Sequence, residues 1–152
     1  MEQDISSVSA TIQLSIAPVF LLVAIGSFLN VTTQRLGRVV DRARAVEVTF
    51  ENEQDDRKRV EERRELRALD RRIRYANMSI ALSAFAALVV AIDVALLFAG
   101  AMSGVKLMAP AAVLFIVAIM GLIGGLGFFL AEITVATRSL RVRAARALER
   151  ER

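Results

Sequence analysis

The sequence predicts an all-α integral membrane protein: three transmembrane helices, with a long cytoplasmic helical hairpin between the first and the second. Three observations predict it. Apolar residues make up 55% of the 152 residues and gather in three runs, each long enough to cross a bilayer, which takes about 20 residues. Charged residues make up 24% of the chain and leave these runs empty except for Asp93. Finally, residues 38–99 contain no Gly and no Pro, so helix can run unbroken through the charged block and into the second run.

Taken in order, residues 1–11 are a short acidic N-terminus and residues 12–31 the first transmembrane helix. A secretory signal has a basic start, a short apolar core and a small-residue cleavage site. The start MEQDI is acidic, so the first run is expected to stay in the membrane. Pro18 within it frees the carbonyl of Leu14 and is a candidate kink. Residues 76–101 are the second transmembrane helix and 107–131 the third, joined by a loop at 102–106. Residues 132–152 form a basic tail. A soluble bundle of three buried helices is the rival reading, but runs this uniformly apolar have no polar face to offer water.

Orientation follows from Lys and Arg. The 32–75 segment holds 13 of the 20 basic residues and the tail holds six, whereas the 102–106 loop holds only Lys106 and the N-terminus none. The positive-inside rule places the hairpin and the C-terminus in the cytoplasm, and the N-terminus and the 102–106 loop outside. The expected location is a bacterial cytoplasmic (inner) membrane.

Within the hairpin, apolar residues recur at Leu36, Val39, Ala43, Val46 and Phe50, and again at Leu66, Leu69, Ile73, Ala76 and Ile80. Steps of three and four are heptad seams. Between them the chain is polar from Glu51 to Arg59. Asn52 is a candidate cap for the first arm, and Asp55 or Asp56 a candidate start for the second. Arms of about 18–20 residues would project about 25–30 Å at 1.5 Å per residue. The seams serve subunit assembly or docking of a cytoplasmic protein partner, or the two arms pack only on each other. Arg63, Arg64, Arg67, Arg71, Arg72 and Arg74 alternate with Glu61, Glu62, Glu65 and Asp70, the pattern of a solvated face with i,i+4 pairs. Basic and acidic charge nearly balance there and few aromatics are at hand to stack bases, so no nucleic acid is expected as a partner. Arg35, Arg38, Arg42, Arg138 and Arg141 lie where anionic lipid headgroups sit.

Composition limits the chemistry. The chain has no Cys, His or Trp, which excludes disulfides, thiol redox chemistry, Cys/His metal sites and Ser-His catalysis. There is no Gly-rich phosphate loop. Neither metal nor cofactor is expected, and no constellation suited to an enzyme is legible.

The stretch PVFLLVAIGSFLNVTTQRLGRVVDRAR (Pro18–Arg44), followed by ELRALDRRIR (Glu65–Arg74), is more specific than composition. Its distinctive pieces are Pro18 to Leu22, Gly26, Leu29 and Asn30, and the run of Arg35, Leu36, Arg38, Asp41, Arg42 and Arg44. The chain resembles, over nearly its whole length, a bacterial family of small three-helix membrane proteins known only as a domain of unknown function. The resemblance implies a three-helix membrane topology and carries no activity.

Single residues supply the functional candidates. Asp93 lies about 4–8 Å outward of the midpoint of its helix. An ionised Asp there costs about 2.5–3.5 kcal/mol. It is an acid on an ion path or a proton carrier, or else it bonds a neighbouring helix or Lys106. Ser27, Asn30, Gln34, Arg38 and Arg42 form a polar row on one face of the first helix. That row lines the inner mouth of a pore, or marks a helix turning polar as it leaves the membrane. Gly121, Gly124, Gly125 and Gly127 let helix backbones approach closely, within or between subunits, with a gating hinge as the alternative. Glu132 is expected in an interfacial ion pair with Arg138 or Arg35.

Three helices can hardly enclose a substrate path alone, so a transport role calls for a homo-oligomer. The expected function is a small homo-oligomeric cation channel or ion-permeation protein with Asp93 on the path, where a ring of carboxylates would attract cations. The alternative is a non-conducting membrane scaffold whose cytoplasmic hairpin docks a partner.

Overall fold

The computed structural model describes the backbone of residues 2–52, 55–105 and 107–150, and side chains at 13, 16–51, 55–105 and 107–137. Lys106 and the side chains of Asn52, Arg138 and Arg141 lie outside the described residues. The fold is three helices: α1 (Glu2–Asn52), α2 (Asp56–Ser103) and α3 (Met108–Arg150). No strand occurs among the described residues. Each helix holds a stretch long and apolar enough to cross a membrane.

The helices outrun the apolar segments. α1 passes through Pro18 without a break, as membrane helices often do. α3 continues well past residue 131, so the basic tail is an extension of the helix for most of its length. After Gly127 there is neither Gly nor Pro, and the Ala, Leu, Arg and Glu of this stretch are strong helix formers. Asp55 caps α2: the backbone N–H of Arg57 donates to its Oδ1 at 2.9 Å. Gly104 closes the other end of α2 with φ at +69°, the left-handed conformation that favours Gly after a helix.

On every helix the buried positions recur by sevens, with Val89 on α2 the exception among the described residues. They are Pro18, Ile25, Thr32, Val39 and Val46 on α1, and Ala111, Ala118, Gly125 and Glu132 on α3. On α2 two such series run side by side, Leu69, Ala76, Ser83 and Val90 beside Ser79, Ala86 and Asp93. A seven-residue period keeps the same face of a helix against its neighbour over many turns. Much of this buried face is Ala, Ser and Gly. Large apolar side chains point outward instead, among them Phe20 at 70% and Met102 at 88% exposure. Small residues inside and large ones outside suit a lipid surround, where close backbone approach rather than expulsion of water drives packing.

The chain divides into two compact units. One comprises Met1–Asn30 with Ala81–Gly125, and the other Val31–Ile80 with Leu126–Arg152. In the first, Ile25, Ala86, Val89, Val90 and Ala118 form a buried cluster flanked by Leu21, Leu22, Leu29, Leu114 and Leu122. In the second, Val39, Val46 and Leu69 are buried together, with Ala43, Leu66 and Ile73 packed on them. Leu36 and Phe50 are half-buried, and the guanidinium groups of Arg59 and Arg63 lie over the Phe50 ring at 5.1 and 5.5 Å.

Candidate functional site

The second unit is organised around Glu132. It continues the seven-residue series on α3 from Gly125 and is 3% exposed. A carboxylate this enclosed needs partners, because burying an unpaired charge is far more costly than burying a paired one. Two arginines supply them. Arg35 of α1 reaches Oε2 through Nη2 at 3.1 Å. Arg72 of α2 reaches Oε1 through Nε at 2.9 Å and through Nη2 at 2.8 Å. The guanidinium of Arg35 also lies 5.2 Å over the ring of Phe129, and Phe128 next to it meets Tyr75 with ring centroids 6.2 Å apart. All three helices therefore meet at one ion cluster.

Beside this cluster is a cleft of about 300 Å³, lined by Arg35, Arg38, Val39, Arg42 and Arg72. Arg42 is itself oriented. Its Nε and Nη2 both donate to Glu65 Oε1, at 3.1 and 3.0 Å. Arg38 is exposed and makes no ion pair among the described residues. The cleft thus gathers four guanidinium groups against the two carboxylates that hold three of them.

Asp93 belongs to the first unit and is 2% exposed. Its Oδ1 and the Oγ of Ser83 are buried without a hydrogen-bond partner among the described residues. The carboxyl faces the interior of its own helix bundle. A ring of Asp93 around an axis shared by several copies would need the side chain on the outer surface, where it is not. Burial by sevens is the reason: position 93 repeats 79 and 86, both fully enclosed.

The polar row on α1 has the opposite placement. Ser27, Asn30, Gln34, Arg38 and Arg42 are all exposed. The Ser27 hydroxyl donates to the carbonyl of Val23 at 3.0 Å, the way a lone hydroxyl is satisfied on a membrane helix. On α3, a Cβ added at Gly121 would touch Ala86 Cβ at 3.4 Å, and one at Gly124 would press on Leu82 at 3.2 Å. Both therefore mark a close approach to α2 within one chain. Gly125 is buried, whereas a Cβ at Gly127 would meet nothing within 4 Å.

Sequence reasoning offered Arg138 or Arg35 as the partner of Glu132, of which Arg35 is the one among the described side chains, and missed Arg72, which lies 60 positions away along the chain. The missing signal was the seven-residue step from Ala111 to Glu132, which carries the buried face of α3 past the end of its apolar run.

The chain matches the family described as a protein of unknown function (DUF2721) over residues 15–142. No curated protein and no solved structure matches it.

Proposed function

We propose that this chain, which belongs to the DUF2721 family, is a non-enzymatic membrane scaffold. Its three helices hold it in a cytoplasmic membrane, and the charged hairpin between the first and second docks a partner at the inner surface. The observation that carries this reading is the enclosure of Asp93. The only charged side chain in the apolar runs is 2% exposed within its own bundle, so it is out of reach of any path formed between copies. The elaborated surface is instead the charged one, where an ion cluster fixes the helices and arginines line a cleft. Arginine excess in the hairpin and tail sets the orientation.

A homo-oligomeric cation channel is the second reading, favoured by the exposed Ser27, Asn30 and Gln34 on α1. Polar groups that would otherwise face lipid gain by meeting copies of themselves. In that arrangement the path follows the α1 row rather than Asp93.

Proteoliposomes holding the full chain separate the two. The scaffold reading expects no flux down K⁺, Na⁺, Ca²⁺ or H⁺ gradients. Flux lost in Asn30→Leu and kept in Asp93→Asn establishes a channel along the α1 row. Flux lost in Asp93→Asn restores the carboxylate to the path and overturns the enclosure argument. The chain has no native Cys, so Arg57→Cys adds a single thiol whose labelling from one side of the membrane reports the orientation.

A further inference from the structure

We propose that the arginine cleft is a binding site for a phosphate oxyanion, carried by a lipid headgroup or by a soluble phosphate compound. The cleft of about 300 Å³ is lined by Arg35, Arg38, Arg42 and Arg72 around Val39. That volume is at the lower end of small-molecule sites and suits a phosphate group better than a large organic ligand. Guanidinium groups present paired N–H donors that match phosphate oxygens, so several on one concave surface form a strong oxyanion trap.

A solvated arginine face would look different. Here three of the four arginines are oriented by carboxylates before any ligand arrives. Arg72 commits Nε and Nη2 to Glu132, leaving Nη1 unassigned among the described contacts. Arg35 gives Nη2 to the same carboxylate and rests on Phe129. Arg42 is held by Glu65 through Nε and Nη2. Fixed donors spare a ligand the entropic cost of ordering long side chains. The two carboxylates leave part of the positive charge uncompensated, and a phosphate monoester carries about −1.5 to −2 at neutral pH. Arg35 follows the first apolar run by one helical turn, which is headgroup depth if the orientation proposed above holds. The lipid form of the inference rests on that reading; the soluble-phosphate form does not.

The test uses the full chain purified in a non-ionic detergent and titrated calorimetrically with three probes. These are a short-chain phosphatidic acid, a phosphatidylcholine of equal chain length and inorganic phosphate. Saturable binding of phosphatidic acid is expected, with phosphatidylcholine silent. The double variant Arg38→Gln/Arg42→Gln should weaken it at least tenfold, about 1.4 kcal/mol, and Arg38→Lys should restore only part of a single Arg38→Gln loss. Arg38 and Arg42 lie outside the Glu132 cluster, and an unchanged melting temperature would show that the fold is intact. Phosphatidic acid saturating alone identifies a headgroup site, whereas inorganic phosphate saturating and competing with it identifies a soluble ligand. Absence of saturation by both anions, equal binding of phosphatidylcholine, or affinity unchanged in the double variant overturns the proposal. None of these results bears on the flux measurement, so the two readings fail separately.

Discussion

Replacing Glu132 with Gln keeps the side chain's shape and removes the one negative charge that Arg35 and Arg72 share. Two guanidinium groups then face each other across a neutral amide. Removing one partner from a buried ion pair costs about 3–5 kcal/mol. Arg35 and Arg72 are 30% and 21% exposed while Glu132 is almost fully enclosed, so water relieves part of the repulsion and about 3 kcal/mol is expected. For a chain of this length that is a fall of about 6–12 °C in melting temperature. Because the chain has no Cys, Ala118→Cys in the fully buried cluster gives a single thiol. Its reaction with a fluorogenic maleimide on heating in detergent reports opening of the helices. Arg72→Gln with Glu132→Gln should cost less than the sum of the singles by about 1–3 kcal/mol. Replacing all three charges together, as Arg35→Met, Arg72→Met and Glu132→Leu, should recover most of the loss, since apolar packing often substitutes for a buried ion pair. A Glu132→Gln shift under 2 °C, or strictly additive double variants, refutes the idea that this cluster fastens the helices.

Three further outcomes follow from the same packing. Arg42→Gln and Glu65→Gln should each cost under about 1 kcal/mol, because Arg42 is 54% exposed, and 0.5 M salt should erase the difference; the melting assay above reads both. Gly124→Leu should destabilise by about 1–3 kcal/mol through overpacking against Leu82, while Gly127→Ala, with open space around it, should be neutral or mildly stabilising in the same assay. Asp93→Asn should leave stability unchanged or raise it, since Oδ1 has no hydrogen-bond partner among the described residues; a loss of about 1–3 kcal/mol would reveal a bond worth keeping.

The apolar runs were legible because uninterrupted hydrophobicity over about 20 residues has one common solution. The start of α2 was legible as Asp55 or Asp56, since a short acidic side chain before an uninterrupted helical stretch is a local signal, and the bond from Arg57 N–H selects Asp55 as the cap. What sequence reading passed over was the inner face of the apolar helical segments. In the hairpin the buried face shows as Val39, Val46 and Leu69 among charges, so the contrast is visible. Inside the apolar runs most positions are apolar, and hydropathy no longer distinguishes Ala86 or Ala118, which are buried, from Phe85 and Ile116, which are exposed. Side-chain size carries the distinction there, and reading size at seven-residue spacing would have placed Asp93 inside and Glu132 on the same seam as Ala118. Arg72 escaped notice for another reason. It stands in a run of arginines with similar neighbours, and only the crossing of α2 and α3 selects it.

The position of Glu132 along the chain has a consequence for biogenesis. Both of its partners are translated before it, Arg35 on the first helix and Arg72 on the approach to the second. Until the last helix emerges they remain where water can solvate them. The acid arrives with α3 and is enclosed only when that helix meets the other two, so completion of the ion cluster coincides with the docking of the third helix. A chain cut short before residue 132 would carry all of its apolar runs and still lack the charge that fastens them. A chain truncated there would thus differ from one that contains Glu132 by two arginines that have lost their shared carboxylate.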